Sequence, residues 1–268
     1  MLSSPICSRW SGRPDTERRS FVAALTALLA SAWPRAGGAG EEVVVFAAAS
    51  LADALREIAK AFEAGTGHRV VLSVGGSNDL ARQIRAGAPA EVFVSASADR
   101  MDEVERAGLV RGADRVDLLS NRLVVVVPAG ATKAPVAAED LTRVRSLALG
   151  DPQAVPAGIY ARQWLDRLGL WERVRDRVVP TLDVRAALAA VESGNADAAI
   201  VYRTDAAISR RVRVALDVPA GEGPRIVYPA ALLAGSRGPA ARAFYEYLRS
   251  RPAREVFERL GFEFLPAR

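Results

Sequence analysis

Cysteine and histidine are almost missing from this 268-residue chain, which has one of each, Cys7 and His68. A Ser/His or Cys/His nucleophile therefore has little to be built from. Metal clusters of His and Cys fail for the same reason. His68 follows Gly67 in a polar turn before a strand pattern, so it reads as a solvated loop residue. Cys7 sits in an N-terminal tract without lipid-attachment context, and the remaining chain is expected to carry no disulfide and no thiol chemistry. The carboxylates are scattered on helix patterns beside arginines; they form no catalytic or metal-binding motif, though paired-carboxylate catalysis stays open.

Long hydrophobic runs are missing as well. The run FVAALTALLASAW at 21–33 has 13 residues, short of the roughly 20 that a spanning helix needs. It follows Arg9, Arg13, Arg18 and Arg19 and precedes a small-residue stretch, Ala36 to Gly40. That arrangement predicts a signal peptide over residues 1–40, with the cleavage position open. Arg18 and Arg19 stand directly before Ser20, Phe21 and Val22 and look like a twin-arginine export signal, with the general secretory route as the alternative. Either route places the mature chain in the periplasm or otherwise outside the cytoplasm.

Strong charge of one sign is the third absence. The formal net charge is +5, but residues 1–40 hold five arginines against Asp15 and Glu17, which leaves 31 basic and 29 acidic residues. Such a balance gives no basis for a nucleic-acid partner. Half of the chain is apolar and a quarter charged, as expected of a globular protein.

What is present is an alternation. Short β-branched runs at 43–47, 69–74, 91–95 and 123–127 are separated by helical stretches, which predicts an α/β fold with mostly parallel sheets. Leu51, Leu55, Ile58 and Phe62 share one face of a helix over about 51–64. Val184, Leu188 and Val191 do the same on a helix ending near Gly194, followed by a strand at 197–202. Two more helices are expected after Pro239, the second started by Pro252. Composition by itself leaves open one doubly wound domain or two lobes of about 100 residues.

Small and hydroxyl residues recur where a strand ends and a helix begins. Ser50 lies between the first strand and helix; Ser77 closes a Gly75-Gly76 turn before a helix starting near Asn78; Pro156, Ala157 and Gly158 precede another; Asp183 and Val184 open the next. Singly, each suggests a helix cap. Together they form helix N-termini at strand ends, where open α/β sheets place ligands and free N–H groups with the positive dipole end attract anions.

The segments VFAAASLADAL at 45–55, LARQIRAGAPAEVFVSA at 80–96 and GDPQAVPAGIYA at 150–161 resemble periplasmic molybdate-binding proteins. The stretches at 182–206 and 243–262 extend the resemblance over nearly the whole mature chain. It implies the two-lobed type II periplasmic binding protein fold, with mixed sheets, helices on both faces and a ligand cleft between lobes. Lobe one would comprise 41–121 plus 228–268, and lobe two 122–227. The matching ligand positions are Ser50 and Ser77 from lobe one, then Ala157, Val184 and Tyr202 from lobe two. Ser50 and Ser77 would donate from side chain and backbone, Ala157 and Val184 from backbone N–H, and Tyr202 from its phenol. No catalytic residue, cofactor or direct protein–metal ligand is implied: molybdenum enters only as the bound oxyanion. The expected activity is extracytoplasmic capture of molybdate and delivery to the membrane permease of an ABC importer, by a chain acting as a monomer. A tungstate-selective or other oxyanion receptor is the alternative and, more remotely, an enzyme on the same fold.

Relatives often carry a serine-rich turn where this chain has Gly75, Gly76, Ser77, Asn78 and Asp79. Ser77 takes the ligand position when the alignment is anchored on LARQI, with Asn78 as the other possible donor and Asp79 expected to face solvent. Arg185 and Arg203 flank the expected site and read as surface or supporting residues.

Overall fold

The computed structural model describes residues 40–219 and 221–266. The expected signal peptide therefore lies outside the described residues, except for Gly40. Residues 39–268 form one compact unit. Among the described residues, no helix is long and apolar enough to cross a membrane.

The first sheet contains β1 (Glu42–Ala48), β2 (Arg69–Gly75), β3 (Val92–Val94), β4 (Val110–Ser120), β10 (Tyr228–Leu233) and β11 (Glu263–Phe264), in the order β11-β4-β10-β3-β1-β2. The second contains β5 (Leu123–Pro128), β6 (Leu147–Gly150), β7 (Val178–Thr181), β8 (Ala198–Tyr202) and β9 (Val212–Asp217), in the order β7-β6-β8-β5-β9. Strands joined through helices pair in parallel: β1 with β2 and β3, and β6 with β7 and β8. The antiparallel pairs involve β4, β5, β9 and β10, the strands flanking the two places where the chain changes sheet. Asn121 and Arg122 make the first crossing. Direct strand-to-strand passage needs no helical crossover, and this is why both sheets are mixed.

The helices follow the apolar spacing. In α1 (Ala52–Thr66), Leu55, Ile58 and Phe62 are buried with Leu51 from the preceding 3-10 turn, Ala49–Leu51. Gly67 ends the helix with φ 74°, a left-handed turn that other residues enter reluctantly. α2 (Ser77–Arg85) begins one residue earlier than the sequence pattern suggests, because Gly76 is its extended cap and Ser77 already has a place in the first turn. α3 (Ala98–Arg106) follows β3. In the second half, α4 (Pro156–Arg167), the short α5 (Trp171–Val174), α6 (Val184–Glu192) and α7 (Arg203–Ala207) surround the sheet. Asp183 caps α6 by accepting the Ala186 N–H at 2.9 Å. α8 (Pro239–Tyr247) and α9 (Arg251–Arg259) both start with proline in the first turn, and they pack on β1, β10 and α1.

One continuous apolar core runs from Val43 and Val45 through Leu118, Leu119 and Leu123 to Ile200 and Val201, so the two sheets share it. Where they meet, Tyr202 from β8 packs edge-on against Tyr228 from β10, with ring centroids 5.7 Å apart, and Phe262 continues the row. This junction is the floor beneath the site.

Candidate anion-binding site

Ser50, Ser77, Ala157, Val184 and Tyr202 all line one tight pocket with a cavity volume of about 10 Å³. Pockets for organic ligands usually span roughly 300–1,000 Å³, so this one excludes them. Each residue arrives from a different strand-to-helix junction. Ser50 is in the 3-10 turn between β1 and α1, Ser77 is the first residue of α2, Ala157 follows Pro156 at the start of α4, Val184 opens α6, and Tyr202 ends β8. First-turn N–H groups have no partner within their own helix, and the helix dipole adds positive potential there. Three helices of eight or more residues thus point their N-termini at one small space.

Among the described residues, no Lys or Arg lines the pocket. Its one charged lining residue is Asp183, whose carboxylate is engaged in capping α6. The attraction for an anion must therefore come from oriented dipoles.

The hydroxyls are arranged as donors. Ser77 Oγ accepts the Ala96 N–H at 2.9 Å, which leaves its own hydrogen to give. Ser50 Oγ lies 3.1 Å from the Tyr228 hydroxyl, and Asn121 Nδ2 donates to that hydroxyl at 3.3 Å. An amide nitrogen can only donate, so the Tyr228 oxygen accepts from Asn121, while the bond between Tyr228 and Ser50 can run in either direction. When Tyr228 donates, Ser50 keeps its own O–H for the pocket. Serine at such junctions commonly caps its helix, but in neither case does the serine hydroxyl do so here.

Tyr202 is 1% exposed, and its hydroxyl finds no hydrogen-bond partner among the described residues. A buried hydroxyl without a partner is uncommon because it loses water and gains nothing. Burial, and then the neighbouring Tyr228, raise the Tyr202 phenol well above its ordinary pKa. Burial raises Tyr228 too, with Asp205 adding to the effect. Both phenols keep their protons at any physiological pH and remain donors.

The Gly75–Asp79 turn divides its residues. Ser77 reaches the pocket, whereas Asn78 and Asp79 line an outer part of the cleft together with Arg82, Asp151 and Thr181. Asp79 is half-buried, with its carboxylate 2.8 Å from Arg82. At Gly76 the two halves approach closely: a Cβ there would lie 2.9 Å from the Leu182 carbonyl oxygen. His68 takes a structural role on the far side, where Nδ1 accepts the Glu41 N–H at 3.1 Å. Of the flanking arginines, Arg203 pairs with Asp217 at the surface, and Arg185 inserts between Asp53 and Asp205. Asp205 is fully buried, and burial pushes its carboxyl up to about 6 despite the opposing effect of Arg185. Sequence reasoning missed Tyr228, Asn121 and Asp205 as parts of the site. The first two lie 178 and 107 residues from their partners in this network, beyond any local pattern. Asp205 had a faint signal, since it stands three residues after Tyr202 and accepts the Tyr202 N–H at 3.3 Å, the spacing of a helix-start box.

A pocket of donors between two α/β lobes is the arrangement of a solute-binding protein. Residues 43–263 match the family described as bacterial extracellular solute-binding protein, and the chain belongs to that family. It is 41% identical over 227 residues to the molybdate-binding protein ModA of Escherichia coli (strain K12), covering 82% of this chain and 88% of that protein. The molybdate-binding protein ModA of Haemophilus influenzae is 38% identical over 247 residues, covering 88% and 96%. Among solved structures, the Azotobacter vinelandii periplasmic molybdate-binding protein superposes with a TM-score of 0.74 at 26% identity, covering 84% of this chain and 99% of that one. The fold is the two-lobed type II periplasmic binding fold.

Proposed function

We propose that this chain captures molybdate outside the cytoplasm, holds it between its lobes and delivers it to the membrane permease of an ABC importer. The observation that carries this reading is the pocket's chemistry: donors from five junctions, no basic side chain, and a buried Tyr202 hydroxyl awaiting an acceptor. Molybdate carries no proton near neutral pH, so all four oxygens only accept. A hydrogen bond to a charged group contributes about 1.5–3 kcal/mol, and several such bonds offset the desolvation of the dianion. Hydrogen phosphate would bring a donor of its own into a site that offers donors. Sulfate is smaller, and a pocket walled by helix starts and glycine contacts contracts poorly around it.

Ser50 and Ser77 bind through hydroxyl and backbone, Ala157 and Val184 through backbone N–H, and Tyr202 through its phenol. Lobe one comprises 41–121 and 228–268, and lobe two 122–227, with hinge closure around the ion. Residues 1–40 direct export, and the mature chain works as a monomer without nucleic acid. It is a binding protein, not an enzyme, and needs no cofactor. Tungstate has nearly the size and charge of molybdate and fits the same donors, which makes it the second reading.

Titration calorimetry with molybdate, tungstate, sulfate and phosphate tests the proposal. Tight binding of the metal oxyanions and weak binding of the other two are expected. Tight sulfate binding, or no binding of either metal oxyanion, overturns it. A Ser50→Ala, Ser77→Ala double variant that keeps full molybdate affinity shows the site to be elsewhere.

A further inference from the structure

Arg185 lies beside the pocket without lining it, and its contacts cross the cleft. Its Nε donates to Asp205 at 2.6 Å within its own lobe. Its Nη2 donates to Asp53 at 2.8 Å and to the Ser50 carbonyl at 3.3 Å, both in the opposite lobe. Three of the five expected ligand positions are connected to Arg185. Val184 precedes it in α6, Ser50 accepts from it, and Tyr202 is held through Asp205, whose second oxygen accepts the Tyr202 N–H at 3.3 Å. The Arg185 side chain is 24% exposed and that of Asp53 39%, so water reaches the cross-cleft pair, whereas Asp205 is sealed.

We infer that Arg185 is a positioning residue that latches the closed state: it clamps α6 onto the Ser50 turn and α1 only when the lobes meet around the anion. The inference rests on the molybdate reading. Its planar fork reaches two carboxylates and a carbonyl at once, which an ammonium cannot reproduce in the same geometry. Within its own lobe Asp53 also pairs with Arg56 at 3.3 Å, but that pair is exposed and contributes little, so losing the contacts of Arg185 to Asp53 and Ser50 acts chiefly on the closed form.

Asp53→Asn gives a test in which competing explanations differ in sign. The substitution removes a negative charge close to an incoming dianion. Were charge alone at work, affinity would rise. A latch predicts the reverse: molybdate binding about three- to tenfold weaker, the range of a partly exposed ion pair plus one charged hydrogen bond, with faster dissociation and an unchanged melting temperature for the unliganded chain. Arg185→Lys, which keeps the charge, should weaken binding in the same direction. Affinity in Asp53→Asn equal to or tighter than wild type overturns the inference, as does a fall in unliganded melting temperature that accounts for the whole loss. If the wild-type chain ignores molybdate, the functional reading fails instead. The latch is then judged by small-angle scattering with whichever of tungstate, sulfate or phosphate the wild-type chain binds, where both variants must contract less on binding than wild type, and an equal contraction refutes it.

Discussion

Replacing Tyr202 by phenylalanine should separate binding from folding with opposite signs. The ring packs against Tyr228 at 5.7 Å, and phenylalanine preserves that contact. The hydroxyl is buried and unpartnered. Removing it deletes one hydrogen bond to the bound dianion, worth about 1.5–3 kcal/mol, or about 10- to 150-fold in Kd. In the unliganded chain an open cleft lets water reach this hydroxyl, so the change removes no protein hydrogen bond; wherever the hydroxyl stays sealed, the change deletes an unsatisfied polar group worth about 1–3 kcal/mol. The unliganded melting temperature should therefore hold level or rise, by about 2–4 °C for each kcal/mol recovered in a chain of this size. Calorimetric titration and differential scanning calorimetry with and without molybdate measure both quantities. An unchanged Kd refutes the donor role of Tyr202. A fall in unliganded melting temperature as large as the fall in the loaded chain shows that the hydroxyl supports the fold through a partner not seen here.

Three further substitutions probe other features. Gly76→Ala meets no backbone strain at φ −61°, but its Cβ would lie 2.7 Å from Asn78 Oδ1, a side chain that can turn aside, and 2.9 Å from the Leu182 carbonyl oxygen across the cleft, which is fixed backbone; overpacking costs about 1–3 kcal/mol, so molybdate should bind about tenfold more weakly with a smaller change in unliganded melting temperature, and equal affinity would show that the cleft closes with room to spare. Ser77→Ala should lower both affinity and unliganded stability, the latter by about 1–3 kcal/mol, because it strands the buried Ala96 N–H; chemical denaturation of the unliganded chain reads this, and an unchanged midpoint contradicts it. Asp205 holds its proton more tightly folded, with a pKa pushed to about 6, than at the ordinary 3.8, so its contribution to stability is full below pH 3.8 and lost as pH rises through 6. The stability of wild type minus that of Asp205→Asn should fall by up to about 3 kcal/mol across this window, and a difference that stays flat from pH 4 to 7 refutes the shift.

Much of the local organisation was legible in the chain. The spacing of Leu51, Leu55, Ile58 and Phe62 anticipates the buried face of α1, and Asp183 before Val184 announces the start of α6. These are short-range effects, set by helix geometry and by the need to satisfy first-turn N–H groups. The pocket-lining positions were legible for the same reason, since each is a strand-to-helix junction. That five junctions face one space did not follow from any of them. The convergence depends on two crossings between sheets and on a core shared by both.

By itself, then, the sequence determined the βα units, the shortage of nucleophile and metal-ligand chemistry, and the places where free helix N-termini would occur, because propensity, apolar period and capping act within a few residues. Tertiary structure alone decided the partners of the hydroxyls and the charge balance around them. Tyr228 meets Ser50 across 178 residues of chain, and Arg185 meets Asp53 across 132. Such pairs carry no local signature: hydrogen bonding and Coulomb attraction act through space, and only folding brings the partners within reach.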